Sequence, residues 1–508
     1  PYTNEGAGGE NYGTIAYVNC SPDGKTIWTG SDDGMVYLTR DGGANWKNVT
    51  PAGLPECLVN SIEVSAHDPR TVYIACTKYK MNDLSPILYR SSDYGQSWKR
   101  IDSGIPAGAY TRVVREDPKQ PGLLFAGTET GLYISWNNGD AWSKLQLGLP
   151  VTPVTDLKIH QDNLIASTMG RSFWILDDLF MLRNASALKD TSRVQLYGME
   201  QLYRVGGGSS LNAVGSTDGN GPLTAQREGT NAATGAVFYY QLPHLPDSVE
   251  LELMIKDSKG KLIRSYSAKA DSSFVEFPGG PSPDPLLPRR PGMNRFVWNL
   301  RNESYPGVPT AYIEGSWEGH RVPPGNYTAV LKVGRQELVH AFTVLADPRV
   351  KADQAEYDEQ DALLTKVEEE LKEIHLSVLS MRAAKKQVID LIALVGDKQV
   401  YGALKKQSVA LLDRMNGWEE ELIQNRSQSY DDIINFVNKL SADYFFLKGE
   451  LDGLIPFVTD GQKEQFQTLH HTWLPLKKEF DTLVGKEIPA LNEACRQLGI
   501  ERIMLPIQ

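Results

Sequence analysis

The sequence predicts a chain of three parts: a partial β-propeller, then a β-sandwich, then a bundle of α-helices. One polar hairpin phrase recurs three times in the first third of the chain, with strand-like runs around each copy. An alternating apolar pattern, typical of strands, fills much of the middle, and near residue 351 it changes to helical spacing. The expected boundaries are 1–180 for the propeller part, 181–235 for a Gly/Ser-rich linker or loop, 236–347 for the sandwich and 348–508 for the helices.

Length, charge and cysteine content narrow the class of protein. The chain has 508 residues, too many for one hydrophobic core. Its net charge of -11 and its lack of a concentrated basic face argue against nucleic acid as the main partner. No apolar run is long enough to span a membrane. The four cysteines form no CxxC or Cys/His cluster, and we predict that Cys20 and Cys76, in apolar runs, are buried free thiols.

The recurring phrase has the form Ser/Thr-x-Asp-x-Gly-x-x-Trp. In a hairpin, the Asp or Asn side chain accepts hydrogen bonds from turn N–H groups, Gly supplies a positive φ, and Trp packs into the apolar layer of the sheet. The copies recur at the spacing of propeller blades. We therefore assign them a structural role. They comprise Thr39, Asp41, Gly43 and Trp46; Ser91, Asp93, Gly95 and Trp98; and Ser135, Asn137, Gly139 and Trp142.

The strand-like runs around the phrase predict three four-stranded blades and a fourth that stops near residue 180 before its last strand. Propellers have about 4 to 8 blades, and a half-ring would leave strand edges and apolar faces in water. We therefore expect the chain to be the C-terminal part of a larger protein. The missing N-terminal blades would come in cis or from a companion chain, and the latter would make the protein a homo- or hetero-oligomer.

These motifs resemble those of a bacterial family. The hairpin phrase is similar to the Asp-box of sialidases, xyloglucanase-type glycosidases and sortilin-type propellers. The stretches GGENYGTI, VNSIEVSAHDP, VVREDP and GRSFWILDDL resemble large exported proteins with sortilin-like BNR/Asp-box propellers. The resemblance covers nearly the whole chain and implies the C-terminal half of an Asp-box β-propeller, with the boxes on the outer rim. It also implies a periplasmic, outer-membrane-surface or secreted location in a bacterium. Members are often labelled glycosyl hydrolases by similarity.

The middle of the chain predicts an immunoglobulin-like sandwich. Six or seven strand-like runs lie between residues 236 and 347. Trp298 and Tyr327 are the expected core anchors. The proline-rich stretch 277–292 is expected to be a loop, because proline cannot donate to a strand ladder.

The last part predicts four amphipathic helices in an antiparallel bundle. One apolar series runs from Ile433 through Val437 to Leu451. Thr459 and Gln462 fit a capping box at the start of the last long helix. His470 and His471 are adjacent, so on a helix they point about 100° apart, and no acidic spacing completes a ligand set. We expect no metal site.

Candidate catalytic groups are carboxylates. The chain has no motif of serine hydrolases, nucleotide-binding enzymes or zincins, so we expect no cofactor. Glycoside hydrolysis needs two carboxylates about 5 Å apart, or about 6.5–9.5 Å apart. The candidates also fit turn or strand-exit roles, which we favour for each of them. They are Glu10, Asp32, Asp33, Glu116, Asp117, Glu129, Asp177 and Asp178.

Arginines are the other candidates, because sialidases hold a carboxylate with three of them. Arg112 and Arg115 on an inner strand, with Arg171, could bind an anion bidentately. Three residues apart on a strand, Arg112 and Arg115 point to opposite faces, so at most one faces a channel unless a bulge intervenes. We favour Arg171 as a tether of the last blade. The candidate ligand-binding set is Glu10, Tyr12, Arg112, Glu116, Glu129 and Arg171.

Two functions stay open. We favour a non-catalytic peptide- or glycan-binding or scaffold component of a cell-envelope assembly, because no acid/base pair is recognisable and the appended domains are not needed for catalysis. The alternative is an Asp-box glycoside hydrolase acting at a cleft shared with the missing blades. A secreted peptidase accessory is a third, weaker possibility. A tunnel lined by strand edges would favour peptide binding, and facing carboxylates between aromatic platforms would favour the hydrolase.

Overall fold

Four antiparallel sheets follow one another in the first third of the protein. The computed structural model describes residues 12–21, 24–185, 190–206 and 232–500. In each sheet the strands pair in chain order. Sheet 1 comprises β1 (Ile15–Cys20), β2 (Ile27–Ser31), β3 (Val36–Thr39) and β4 (Lys47–Asn48); sheet 2 comprises β5 (Leu58–Val64), β6 (Val72–Lys78), β7 (Asp83–Ser91) and β8 (Lys99–Arg100). Sheet 3 comprises β9 (Thr111–Glu116), β10 (Leu124–Thr128), β11 (Gly131–Ser135) and β12 (Ser143–Lys144); sheet 4 comprises β13 (Val154–His160), β14 (Asn163–Thr168) and β15 (Phe173–Leu176).

Successive sheets pack face to face through apolar side chains. Three buried clusters, one between each pair of neighbouring sheets, place Trp28 with Ile62, Leu88 with Tyr133, and Phe125 with Leu157. The first strands of the sheets, β1, β5, β9 and β13, contact one another in order. Side chains on these inner strands can therefore meet across sheets.

Sheet 4 has three strands among the described residues, as the sequence predicted. A short helix, α1 (Phe180–Arg183), follows it. Arg183 binds Asp117 of sheet 3 at 2.8 Å and Asp162 at 2.5 Å. These ion pairs connect α1 to sheet 3 and to sheet 4. Asp117 therefore has a structural role.

Two further sheets share one core in the second compact unit. Their strand orders are β16-β18-β21 and β17-β23-β22-β19-β20. Only β17 and β23 pair in parallel among the described strands. The strands are β16 (Gln195–Gly198), β17 (Gln201–Arg204), β18 (Ala236–Leu242), β19 (Leu251–Asp257), β20 (Leu262–Ser267), β21 (Gly292–Trp298), β22 (Gly325–Val333) and β23 (Gln336–Ala346).

The segment 181–235, predicted as a linker or loop, contributes β16 and β17 to these sheets. Its apolar runs are only four residues long, and their pairing with distant strands makes them part of the fold. The Gly-rich stretch 207–231 lies outside the described residues. Trp298 and Tyr327 are buried with ring centres 5.9 Å apart, which confirms them as core anchors. The proline-rich loop has no strand before Gly292, as expected.

Helices follow the sheets. They are α2 (Gln354–Val395), α3 (Gly402–Leu422), α4 (Leu440–Leu451), α5 (Asp460–Thr482) and α6 (Ile488–Gln497), with a π-helical segment (Leu483–Glu487) joining the last two. Thr459 and Gln462 form the predicted capping box. The prediction of one helix over residues 433–451 is wrong. A short 3₁₀ helix (Tyr430–Ile434), capped by Ser429 and Asp432, precedes a break, and Val437 is exposed.

Loop residues from the sheet region complete the core of the helices. Tyr305 and Trp317 share a buried cluster with Met381 and Phe445, and the rings of Trp317 and Phe445 are 4.7 Å apart. Tyr305 and Trp317, from the predicted sandwich range 236–347, therefore belong to the core of the helices, while the strands have a core of their own. The sheets and helices from residue 191 onward, among the described residues, form one compact unit.

Within the described ranges, no helix is long and apolar enough to cross a membrane. The same residues hold no group of three His, Cys, Asp or Glu side chains arranged for a metal ion. Cys57, Cys76 and Cys495 are buried free thiols. Cys20 is exposed, contrary to prediction, because β1 belongs to the first sheet and no described sheet covers its other face.

Candidate functional site

The recurring phrase lies at the turn between the third and fourth strands of sheets 1, 2 and 3. In each copy the Ser or Thr hydroxyl donates to the Asp or Asn side chain and accepts from the Gly N–H. The first of these bonds measures 2.7 Å for Thr39–Asp41, 2.8 Å for Ser91–Asp93 and 2.8 Å for Ser135–Asn137. Hydrogen bonds from Asn45 and Thr39 lower the pKa of Asp41 to about 2. The hydrogen bonds of the turn engage these side chains, and Asn137 makes the same bond as Asp41 and Asp93.

The tryptophans of the phrase join neighbouring sheets. Trp98 Nε1 donates to the carbonyl oxygen of Val49 at 2.7 Å, and Trp142 Nε1 donates to that of Ile101 at 2.6 Å. Each acceptor follows the outer strand of the preceding sheet. Trp46 is 45% exposed, because no described sheet precedes sheet 1.

An ion pair lies at the opposite ends of the strands, where β9 begins and β10 turns into β11. Glu129 Oε2 accepts from Arg112 Nε at 2.9 Å and from its Nη2 at 2.7 Å, and Nη2 also donates to the Tyr110 hydroxyl at 3.0 Å. Burial opposes the charge on Arg112, but Glu129 raises its pKa. The sequence placed Arg112 and Glu129 in one set, and the structure brings them into contact.

Two tyrosines extend this ion pair into a surface. Tyr79 starts a short 3₁₀ helix between β6 and β7, and its ring stacks on Tyr110 with centroids 5.3 Å apart. The Arg112 guanidinium lies 5.1 Å from the Tyr110 centroid and 5.8 Å from that of Tyr79. Tyr79 is 39% exposed. The cluster of Tyr79, Tyr110, Arg112 and Glu129, here the aromatic platform, offers an exposed ring backed by fixed charges.

A second cluster surrounds Arg115 on β9. Its Nη2 donates to the Tyr17 hydroxyl on β1 at 2.9 Å and to Asp156 Oδ1 on β13 at 2.6 Å. Its Nη1 donates to Ser61 Oγ on β5 at 2.8 Å, and its Nε donates to the carbonyl oxygen of Leu157 at 2.8 Å. One guanidinium therefore ties together the inner strands of all four sheets.

Glu63 on β5 adds a titratable group to the Arg115 cluster. Its Oε2 lies 3.7 Å from Arg115 Nη1. Burial raises the pKa of Glu63 to about 7, although Arg115 opposes the shift. Asp156 on the other side of Arg115 has a side chain that is 64% exposed. Arg115 thus contacts both a carboxyl group with a pKa of about 7 and an exposed carboxylate. Acid/base catalysis uses pairs of carboxyl groups in unlike environments.

The other predicted ligand-binding residues lie apart from these clusters. Glu116 is buried and accepts from the Tyr73 hydroxyl at 3.1 Å. Tyr12 donates to Glu56, and burial and that carboxylate raise its pKa, which disfavours a nucleophilic role. Arg171 lies in the β14–β15 turn, where its carbonyl oxygen accepts from Trp174 Nε1 at 2.8 Å. Glu10 lies outside the described residues. The predicted set is therefore not one site.

The remaining candidate carboxylates belong to turns or follow a strand. Asp32 accepts from the N–H of Gly13 at 2.9 Å, and Asp33 accepts from that of Met35 at 3.1 Å. Asp177 and Asp178 directly follow β15. Neither Asp32 nor Asp33 contacts Arg112 or Arg115 in the described hydrogen bonds and ion pairs.

Sequence reasoning missed Tyr17, Glu63, Tyr79 and Asp156. Glu63 and Asp156 stand in the strand-like runs VNSIEV and VTDLKIH, so a survey of charged residues on every inner strand would have found them. Tyr79 lies in a connecting segment without periodicity. Only its stacking on Tyr110 marks it.

Comparisons with known proteins find structural neighbours of low similarity. No protein-family model matches the chain, and no curated protein matches it. Structural neighbours include YCF48 bound to a peptide (21% identity, TM-score 0.25, 30% of this chain), an ancestral GH74 enzyme (12%, 0.24, 50%) and PorZ, a bacterial surface component of the type-IX secretion system of Porphyromonas gingivalis (13%, 0.28, 66%). This chain spans 49%, 32% and 39% of their respective lengths. The neighbours are β-propeller proteins.

Proposed function

We propose that the protein is a non-catalytic binding and scaffold component of a bacterial cell-envelope assembly, and that its ligand is a peptide or a glycan. Its first unit would be part of a sortilin-like Asp-box β-propeller completed by further blades. Its second unit would combine an immunoglobulin-like sandwich with a helical bundle. The observation that carries the proposal is the aromatic platform, where exposed Tyr79 stacks on Tyr110 beside the Arg112–Glu129 pair.

The platform suits binding for two reasons. An exposed tyrosine ring supplies apolar area to a sugar ring or a peptide side chain at low entropic cost, and the charged pair beneath it can orient polar groups. The platform carboxylate is already paired, because Glu129 accepts both hydrogen bonds from Arg112. This pairing favours recognition over acid/base chemistry at the platform.

Binding to a glycan array and a peptide library tests the proposal. We expect Tyr79→Ala to weaken binding of any hit about two- to twelvefold and Arg112→Gln at least about tenfold, since stacking is worth about 0.5–1.5 kcal/mol and a charged hydrogen bond about 1.5–3 kcal/mol. Tyr203→Ala is the matched control, because Tyr203 is 43% exposed and lies in the second unit. Equal binding by the wild type and both platform variants would refute the site. Fractionation of the producing cells tests the envelope location.

Glu63 favours a second candidate, an Asp-box glycoside hydrolase. A carboxyl group with a pKa of about 7 can act as a general acid at neutral pH. Asp156, across Arg115, would supply the second carboxylate. Release of 4-nitrophenol from a panel of aryl glycosides, lost in Glu63→Gln and kept in Tyr79→Ala, would favour this function over binding.

A further inference from the structure

The hairpin phrase belongs to a longer unit in which a tyrosine precedes the Ser or Thr by two residues. The three tyrosine–tryptophan pairs are Tyr37 and Trp46, Tyr89 and Trp98, and Tyr133 and Trp142. In sheet 1, Tyr37 pairs with Thr29, which in turn pairs with Val18. Cross-strand partners share a face, so these side chains lie on the face of sheet 1 opposite the one that packs on sheet 2.

In sheets 2 and 3 the preceding sheet covers this face. Tyr89 is 9% exposed and shares a buried cluster with Trp28 of sheet 1. Tyr133 is 3% exposed and shares a cluster with Leu88 of sheet 2.

The glycine of the phrase is covered in the same way. A Cβ built on Gly95 would lie 2.7 Å from Val49 Cβ, and one on Gly139 would lie 2.6 Å from Ile101 Cδ1. Val49 and Ile101 are the residues whose carbonyl oxygens accept from Trp98 and Trp142. Tyrosine, glycine and tryptophan together form one repeated inter-sheet contact.

In sheet 1, no described sheet covers the corresponding tyrosine, glycine and tryptophan. Tyr37 is 39% exposed and Trp46 is 45% exposed. A Cβ on Gly43 would meet only the Nε1 of its own Trp46, at 4.0 Å. On the same sheet, Ile15 and Val18 are 57% and 58% exposed. The sheet 1 face therefore carries the apolar and hydrogen-bonding groups of the two internal contacts without a described partner.

We infer that the sheet 1 face is covered by another four-stranded sheet of the same repeat, located ahead of β1 on the same polypeptide. The apolar residue after the outer strand of that sheet would pack against Gly43, and its carbonyl oxygen would accept from Trp46 Nε1. This inference rests on the proposed propeller and specifies how it continues.

Two features favour this occupant. Neighbouring sheets in this unit are also neighbours in sequence, because each inner strand follows the preceding outer strand through a short connection. A second copy of this chain fits less well, since its outermost described sheet, sheet 4, has three strands. Among the described residues, sheet 4 has no short fourth strand. It therefore lacks the residue after that strand whose carbonyl oxygen would accept from Trp46 Nε1.

Site-specific photo-crosslinking in the protein made by its native host tests the inference. Tyr37 is replaced by p-benzoylphenylalanine, and the crosslinked peptides are identified by mass spectrometry. We expect a peptide from the same polypeptide, ahead of β1, that carries the Tyr-x-Ser/Thr-x-Asp/Asn-x-Gly-x-x-Trp pattern. The same replacement at Tyr89 is the matched control and should crosslink to sheet 1.

Three results would overturn the inference: a crosslink to a second copy of this chain, a crosslink to a different protein, or no crosslink at Tyr37 while Tyr89 reacts. Hydroxyl-radical labelling gives an independent measure. Trp46 should be oxidised as slowly as Trp142 in the native protein, and oxidation at least about fivefold faster would count against a covering sheet. Neither measurement depends on Tyr79 or Arg112, so a failure here is separable from a failure of the binding proposal.

Discussion

His320 in the second unit is expected to make stability depend on pH in a direction that can be worked out from its contacts. The side chain is 3% exposed. Its Nδ1 lies 2.8 Å from Glu368 Oε2, and its Nε2 lies 2.9 Å from Asp361 Oδ1, both on α2. Lys448 Nζ on α4 lies 3.8 Å from Glu368. Two carboxylates thus hold an imidazolium that fastens a loop of the sheet region to the helices.

The magnitude follows from the pKa of His320. Burial opposes the charged form, but the hydrogen bonds that the imidazolium donates to Asp361 and Glu368 raise the pKa of His320 from 6.5 to about 9. A raised pKa in the folded state adds stability that is fully present below the unfolded value of 6.5 and is lost as pH rises toward 9. At about 1.36 kcal/mol per pH unit, the contribution is about 3 kcal/mol.

Urea denaturation of His320→Gln and of the wild type, at about pH 6 and about pH 9.5, checks this reasoning. We expect the variant to be less stable by about 3 kcal/mol at the lower pH, and the difference to shrink at the higher pH because the wild type has lost its proton. The exposed His471, replaced by Gln, is the control and should show no such dependence. A wild-type-to-variant difference that is the same at both pH values would refute the reasoning.

Three further predictions use other contacts. Gly95→Ala should cost about 1–3 kcal/mol more than Gly53→Ala in thermal denaturation, because both positions have positive φ but a Cβ at Gly53 meets no atom within 4 Å, whereas Gly95 packs against the preceding sheet; equal losses would contradict the covered contact. Trp298→Ala should cost about 3–5 kcal/mol in urea denaturation, since the ring is fully buried, and a loss under about 1 kcal/mol would show that it is not a core anchor. Glu419, whose pKa Lys385 and Arg382 lower against the effect of burial, stabilises the fold above its unfolded pKa and stops doing so as pH falls. Acid titration followed by circular dichroism should therefore show a shallower loss of stability in Glu419→Gln, and an unchanged slope would count against the Arg382–Lys385 pairing.

Local geometry explains which parts of the fold the sequence predicts well. The bonds of the hairpin phrase join side chains and backbone groups within five positions, as in Thr39, Asp41 and Gly43, so residue type and spacing suffice. The capping box of Thr459 and Gln462 is local for the same reason. Where a periodic pattern crosses a break, as between Val437 and Leu440, local reasoning extends a helix too far, because the apolar spacing continues although the backbone leaves the helical conformation.

The candidate sites depend on residues that are far apart in sequence. Arg112 and Glu129 were predicted as candidates one by one, yet their contact, and the stacking of Tyr79 on Tyr110, require β6, β9 and β10 to be in place. Arg115 meets Tyr17 and Asp156 only because the inner strands of successive sheets converge.

By itself, the sequence determined the repeat, the turn chemistry of its hairpins, the change from strand to helix periodicity and the core anchors Trp298 and Tyr327. These features depend on backbone preference and on burial of one face, both of which act over a few residues. The pairing of the charges, the raised pKa of Glu63 and the exposure of the sheet 1 copy of the repeat follow from how the sheets pack. The physical reason is that electrostatic energy and burial depend on the neighbours in space, and packing of separate sheets, not spacing along the chain, selects those neighbours.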